Sequence, residues 1–123
     1  MTDLETTIDT YLEAYGEPDA GRAEALMARA FTADAKLIDP PLAGEGHAAI
    51  VAMAQTVQTL YPGHRFRRMS VVDQHHEFAR YGWQLLTPDD SVALTGMDVV
   101  EVAPDGRLKQ VVGFFGDLPV APA

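Results

Sequence analysis

Apolar positions in the first half of the chain recur at the spacing of one face of an α-helix. Three helices are predicted, at residues 2–15, 20–30 and 47–60, and Asp19 fits the N-cap of the second because a carboxylate accepts hydrogen bonds from free backbone N–H groups. The apolar stripes are Leu4, Ile8, Tyr11, Leu12 and Tyr15, then Ala23, Leu26, Met27, Ala30 and Phe31, then Ile50, Met53, Ala54, Val57 and Leu60.

After Pro62 and Gly63 the pattern changes to the alternation typical of β-strands. Strands are predicted at residues 65–73, 77–86, 92–102 and 108–115, and a short one at 35–39 precedes the third helix, with a loop opened by Gly44 and Gly46. Short turns between consecutive strands predict antiparallel pairing. Helices first and strands afterwards indicate an α+β fold, in which helices over a curved sheet enclose a cavity suited to an apolar ligand.

Period two assigns side chains to that cavity. Tyr81 and Trp83 share one face of their strand. Asp98 falls on the face opposite Glu101, and because a glutamate marks the solvent side, Asp98 is predicted to point inward. A β-bulge at Gly96 would reverse that assignment. The side chains predicted to bind a ligand are Tyr15, Met53, Val57, Tyr81, Trp83 and Phe115.

Length, composition and charge narrow the class of protein. The 123 residues fit one domain spanning 1–123, and 47% apolar with 22% charged residues is typical of a globular fold. The formal net charge of −9 disfavours nucleic acid and anionic membranes as partners. No apolar run is long enough to cross a bilayer and no targeting segment is evident, so a cytoplasmic location is expected. The cluster Arg65, Arg67 and Arg68 is interpreted as a solvated strand rather than an anion site.

Metal and thiol chemistry are not expected. The chain has no cysteine, which excludes disulfides, thiol catalysis and thiolate metal sites. The adjacent His75 and His76 are interpreted as part of a turn, since neighbours in a strand face opposite ways and would not hold one ion together. No metal and no cofactor are therefore predicted.

Two carboxylates inside apolar runs are the clearest indication of a reactive site in the sequence. Asp39 ends the run at 35–38 just before two prolines, and Asp98 interrupts the strand at 92–102. A carboxylate among apolar neighbours needs a partner or a proton. Asp98 is predicted to be protonated at neutral pH and Asp39, closer to solvent, to be ionised. With Tyr11 on the first helix, they predict a proton-transfer pocket.

These elements resemble the nuclear transport factor 2-like superfamily, which includes ketosteroid isomerases, SnoaL-like polyketide cyclases, limonene-epoxide-hydrolase-type enzymes and scytalone dehydratases. The resemblance covers nearly the whole chain. It rests on the motifs Leu37-Ile38-Asp39-Pro40-Pro41, Gly46-His47-Ala48-Ala49-Ile50, Gly96-Met97-Asp98-Val99, Asp105-Gly106-Arg107 and Gly113-Phe114-Phe115-Gly116. It implies a cone-shaped, cystatin-like barrel in which three helices cover a curved antiparallel sheet.

The resemblance also implies a reaction. Ketosteroid isomerases use an aspartate base at the Asp-Pro position, a tyrosine on the first helix and a protonated aspartic acid on a long strand, positions that match Asp39, Tyr11 and Asp98. The base removes a proton next to a carbonyl, and the other two donate hydrogen bonds to the enolate oxygen. Ala54 departs from the pattern, since several isomerases have a supporting tyrosine there. The implied ligand is a small apolar carbonyl-type molecule.

The resemblance further implies a homodimer formed through the outer sheet face, where Met97 and Val99 would lie. Two other functions stay open: a non-catalytic binding protein for an apolar metabolite, and an epoxide-hydrolase- or cyclase-type enzyme of the same fold. Epoxide hydrolysis of the limonene type needs an Asp-Arg-Asp set in the pocket, and Arg80 falls on the face opposite Trp83. Each residue also has a structural interpretation: Tyr11 as core, Asp39 as a turn former and Asp98 as a structural hydrogen-bonding group.

Overall fold

The computed structural model describes residues 2–122 and contains three helices: α1 (Asp3–Tyr15), α2 (Ala20–Ala30) and α3 (His47–Leu60). The predicted bounds of α2 and α3 are confirmed, and α1 begins one residue later than predicted. Thr2 and Asp19 cap the first two helices, their side chains accepting hydrogen bonds from backbone N–H groups at 3.1 and 2.8 Å. Phe31, predicted on the apolar stripe of the second helix, is instead the first residue of a strand.

The strands are β1 (Phe31–Asp39), β2 (Leu42–Glu45), β3 (Arg65–Arg68), β4 (Asp73–His75), β5 (Phe78–Leu86), β6 (Val92–Val102) and β7 (Leu108–Phe115). β6 and β7 have the predicted bounds. The predicted strand at 65–73 is divided into β3 and β4. Met69 donates its N–H to the carbonyl of Gly82, but the N–H of Gly82 donates to the side-chain oxygen of Ser70 instead of to a backbone carbonyl. The loop predicted at Gly44 is wrong, since that residue lies in β2.

The sheet has the order β2-β1-β7-β6-β5-β3, with β4 also paired to β5. The α+β class, with three helices and one curved sheet, is confirmed. The sheet is mixed rather than antiparallel throughout, because β1 pairs in parallel with β7, and it is open rather than a closed barrel. Turn signals fix the direction of strands that follow one another closely, whereas β1 and β7 are separated by most of the chain.

The helices cover the inner face of this sheet. Ala79, Tyr81 and Trp83 of β5 are buried while Arg80, between Ala79 and Tyr81, is exposed, so the predicted alternation is confirmed. Tyr15 of α1 packs on Phe66 of β3 with ring centroids 5.3 Å apart. Between residues 2 and 122, no helix has the length and apolar character needed to cross a membrane.

Candidate active site

Asp98 is the buried carboxylate at the centre of the site, with 3% of its surface exposed. The β5–β6 register runs without a bulge past Gly96, which keeps Asp98 directly opposite Tyr81 and facing inward as predicted. The Tyr81 hydroxyl donates to Oδ2 at 2.7 Å, and the Trp83 indole N–H donates to Oδ1 at 3.1 Å. Both oxygens of Asp98 therefore accept a hydrogen bond from β5.

Gly96 makes the Trp83 contact to Asp98 sterically feasible. Gly96 is opposite Trp83 in the β5–β6 register, and a β-carbon there would lie 2.2 Å from Cζ2 of the indole ring. It would also lie 2.3 Å from the backbone oxygen of Phe114, so no side chain fits in that space. Rings of Phe66 and Phe115 pack edge-on against the indole, at centroid distances of 5.6 and 5.7 Å.

Burial dominates the electrostatics of Asp98. Burial, and to a smaller extent the charge of Asp39, raise its pKa from 3.8 to about 7, although hydrogen bonds from Tyr81 and Trp83 act in the opposite direction. A carboxyl with this pKa is present in both protonation states at neutral pH. It can donate a hydrogen bond in one state and accept one in the other.

Asp39 is the second carboxylate of the site, half-buried at the end of β1. The Tyr15 hydroxyl donates to its Oδ2 at 2.8 Å. Burial raises the pKa of Asp39, and the bond from Tyr15 acts against that increase. A carboxylate with a raised pKa is a stronger base than one in water, provided that it is ionised.

The two carboxylates approach each other across Gly113 of β7, which is opposite Asp98 in the β6–β7 register. A β-carbon at Gly113 would lie 3.1 Å from Oδ1 of Asp39 and 3.2 Å from Oδ1 of Asp98. The structure thus brings together two residues that are 59 positions apart in the printed sequence. Sequence reasoning identified both carboxylates but not the glycine between them.

Tyr11 is buried on α1, beside the site rather than bonded to either carboxylate. Its ring packs edge-on against Phe31 at 5.1 Å and is tilted against Tyr15 at 5.6 Å. Within residues 2–122 its hydroxyl forms no hydrogen bond. Burial, and next the charge of Asp98, hold the pKa of Tyr11 well above its ordinary value, so the group stays a neutral donor.

An apolar pocket of about 130 Å³ opens beside Asp39. It is lined by Asp39, Pro40, Pro41, Leu42, Val57, Leu60, Tyr61, Phe66, Trp83, Leu85, Leu94 and Phe115. Of the residues predicted to contact a ligand, Val57, Trp83 and Phe115 line this pocket. Tyr11, Tyr15, Met53, Tyr81 and Asp98 lie in the core behind it. Asp39 is the charged member of the lining.

The remaining charged and metal-ligating side chains lie away from this pocket. Arg80 pairs with Asp73 at 2.8 Å on the outer face of the sheet. His75 and His76 are exposed, with their Nδ1 atoms 3.2 Å apart. In the described part of the chain, His, Asp and Glu side chains form no group of three that could hold a metal ion.

A family model and a solved structure are both similar to most of the chain. The family model for the SnoaL-like domain matches residues 8–111. A candidate isomerase of the SnoaL-like family from Agrobacterium tumefaciens str. C58 is 36% identical, with a TM-score of 0.86 over 95% of this chain and 100% of that one. No curated protein matches the chain in sequence.

Two further solved structures share the fold at lower identity. A nuclear transport factor 2-like protein of unknown function from Exiguobacterium sp. 255-15 is 17% identical, with a TM-score of 0.71 over 91% of this chain and 99% of that one. A candidate polyketide cyclase from Sinorhizobium meliloti is 14% identical, with a TM-score of 0.69 over 93% and 100%. At these identities the similarity concerns the fold alone.

Proposed function

The chain belongs to the SnoaL-like family, and we propose that it is a cofactor-independent isomerase that removes a proton next to the carbonyl of a small apolar ketone. The observation that carries the proposal is the pair of carboxylates on either side of Gly113. Asp39 lies on the pocket wall, whereas Asp98 is buried behind it with a pKa of about 7. Two carboxyls whose surroundings differ in this way are suited to act as base and acid.

Asp39 is proposed as the base. Tyr15 occupies its Oδ2, which leaves Oδ1 to accept a proton. The electron pair of the broken C–H bond moves toward the carbonyl, and the oxygen becomes an enolate. Return of the proton from Asp39 to a different carbon of the conjugated system completes an isomerisation. A positioned base of this kind contributes about 10²- to 10⁴-fold to the rate.

Tyr11 and Asp98 are proposed to stabilise the enolate oxygen. The Tyr11 hydroxyl forms no hydrogen bond within residues 2–122, so it is available as a donor. Protonated Asp98 would supply the second donor, its carboxyl O–H, on the side that faces Gly113. Donors held in place before the reaction are most effective where water is excluded, and both side chains are at most 3% exposed. For either group to be reached, the ligand carbonyl must extend inward from the pocket.

The size of the pocket favours a ligand smaller than a steroid. Pockets that enclose drug-sized molecules have volumes of about 300–1,000 Å³, while a cavity of about 150 Å³ holds benzene. The present volume of about 130 Å³ therefore suits one six-membered ring. The lining has no basic side chain, which favours a neutral ligand over an anionic one.

A non-catalytic binding protein is the second candidate, and one observation favours it. The hydroxyls of Tyr15 and Tyr81 and the indole N–H of Trp83 are already bonded to the carboxylates, so these three donors need no ligand to satisfy them. Such a protein would use the same apolar pocket without turnover. An epoxide hydrolase of the limonene type is not supported, because Arg80 lies on the outer face and pairs with Asp73.

Isomerisation of cyclohex-3-enone to the conjugated enone, followed by ultraviolet absorbance, tests the proposal. We expect saturable turnover that falls about 100-fold or more in Asp39→Asn, since only the base is removed. Asp73→Asn, a carboxylate on the outer face, is the matched control and should keep full activity. Saturable quenching of Trp83 fluorescence by phenol without any turnover would contradict the isomerase and support the binding protein.

A further inference from the structure

Gly113 is required by its surroundings and not by its backbone. Its φ angle lies outside the left-handed region, in which Gly46, Gly63, Gly106 and Gly116 are found, so any residue could adopt its conformation. The constraint is the space beside it. A β-carbon would approach Oδ1 of Asp39 to 3.1 Å and Oδ1 of Asp98 to 3.2 Å, both closer than ordinary van der Waals contact.

The carboxylate oxygens that face this space are not the ones that accept hydrogen bonds from the tyrosines. Oδ2 of Asp39 is bonded to Tyr15, and Oδ2 of Asp98 is bonded to Tyr81. The Oδ1 atoms of the two carboxylates are the ones directed at Gly113, although Oδ1 of Asp98 also accepts from Trp83. Glycine thus leaves the space beside the two Oδ1 atoms free of a side chain.

We propose that Gly113 is a positioning residue that lets Asp39 and Asp98 approach closely enough for ionisation of one carboxyl to disfavour ionisation of the other. Both Oδ1 atoms lie beside the space that a side chain at position 113 would occupy. Between the two titrations the pair then carries a single negative charge. The consequence for catalysis rests on the proposed function, whereas the coupled titration does not.

The side chains packed around the pair leave the two carboxylates electrostatically coupled. Tyr11 and Tyr15 approach from α1, and Tyr81 and Trp83 from β5, all of them neutral donors. The charges of Arg68 and Asp9 act on the Tyr81 hydroxyl with opposite signs. Because no Lys or Arg side chain contacts either carboxylate within residues 2–122, the charge of Asp39 acts on Asp98 without an opposing cation and raises its pKa.

A methyl group at Gly113 should move Asp39 rather than Asp98. Asp98 is fixed by two donors and almost completely buried, whereas Asp39 has one donor and is half-buried. The carboxylate of Asp39 would therefore shift by a few tenths of an ångström toward the pocket opening. The two Oδ1 atoms would separate, and their mutual effect on titration would weaken.

Carbon-detected NMR titration of the Asp98 carboxyl tests the proposal in four proteins: the wild type, Asp39→Asn, Gly113→Ala and the double variant. Removing the charge of Asp39 should lower the titration midpoint of Asp98 when Gly113 is present, and the decrease should be less than half as large in the Gly113→Ala background. An equal decrease in both backgrounds, or none in either, would overturn it.

Gly82→Ala is the matched control. A β-carbon at Gly82 would also meet a neighbour at 3.2 Å, but that neighbour is the flexible Met69 side chain. Gly82→Ala should leave the Asp98 titration unchanged, and an effect equal to that of Gly113→Ala would overturn the proposal.

If the wild type isomerises cyclohex-3-enone, Gly113→Ala should lower kcat about tenfold with little change in KM, because the base is displaced. A wild type without activity would remove the proposed function and leave the titration result decisive for Gly113.

Discussion

Asp39 and Asp98 are the same chemical group in two different surroundings. Asp98 lies in the middle of β6, where backbone and side chains on every side exclude water and two donors of β5 hold it. Asp39 lies at the end of β1, where the pocket gives it partial access to solvent and one donor of α1 reaches it. The proposed acid therefore lies at a strand centre, and the proposed base lies at a strand end beside the pocket.

This difference follows from position in the sheet. A side chain at the centre of a paired strand is covered by neighbours on both sides, so an ionised form there loses most of its hydration. Hydrogen bonds from Tyr81 and Trp83 offset only part of that loss, because the pKa of Asp98 still rises to about 7.

The pH dependence of stability should be dominated by Asp98. Its pKa is about 7 in the folded protein and 3.8 without burial, so the folded state binds more protons than the unfolded state between these values. The free energy of unfolding should therefore decrease as pH rises from 4 to 7, by about 4 kcal/mol in total, and then level off. Urea denaturation of the wild type and of Asp98→Asn at several pH values measures this. A difference between the two that stays constant with pH would contradict the assignment.

Truncating the two carboxylates should separate their structural roles. Asp98→Ala leaves the buried Tyr81 hydroxyl and Trp83 N–H without an acceptor and should cost about 3 kcal/mol of stability. Asp39→Ala leaves one donor beside a pocket that water can enter and should cost about 1 kcal/mol. Chemical denaturation at pH 6 provides both values. Equal losses would mean that the two environments do not differ as described.

Tyr15 and Tyr11 provide a matched pair on one helix. Tyr15→Phe removes the hydrogen bond to Asp39, so the pKa of Asp39 should rise further and stability should fall by about 1 kcal/mol. Tyr11→Phe removes no hydrogen bond within residues 2–122 and should affect the titration of Asp39 less. NMR titration of the Asp39 carboxyl compares them. A larger shift for Tyr11→Phe would show that the first-helix donor is misassigned.

The smallest effect is expected on the outer face. Arg80 and Asp73 form an exposed ion pair, and Arg80→Ala should change stability by less than about 0.5 kcal/mol. Arg68 is more buried and donates to both oxygens of Asp9, so Arg68→Ala should cost about 1 kcal/mol. Thermal unfolding at low and high salt measures both. A loss for Arg80→Ala as large as that for Arg68→Ala would contradict the distinction.

The sequence predicted most of the elements, because periodicity and caps are local properties. It also predicted the inward direction of Asp98, since alternation with Glu101 fixes the face once the strand is known. The bond from Tyr15 rather than Tyr11 to Asp39 was not predicted, because both tyrosines lie on one stripe a turn apart and only the placement of α1 against the sheet selects between them. The parallel pairing of β1 with β7, the gap at Gly113 and the volume of the pocket depend on the same long-range packing.

Removal of a proton next to a carbonyl is the step proposed for Asp39. Exchange of the α-protons of cyclohexanone in deuterated water, followed by proton NMR at neutral pH, measures that step without knowledge of the natural substrate. We predict exchange that is faster than in buffer, saturates with ketone concentration, is lost in Asp39→Asn and persists in Asp73→Asn. Exchange at the rate of buffer alone in the wild type, or at the wild-type rate in Asp39→Asn, would contradict the account.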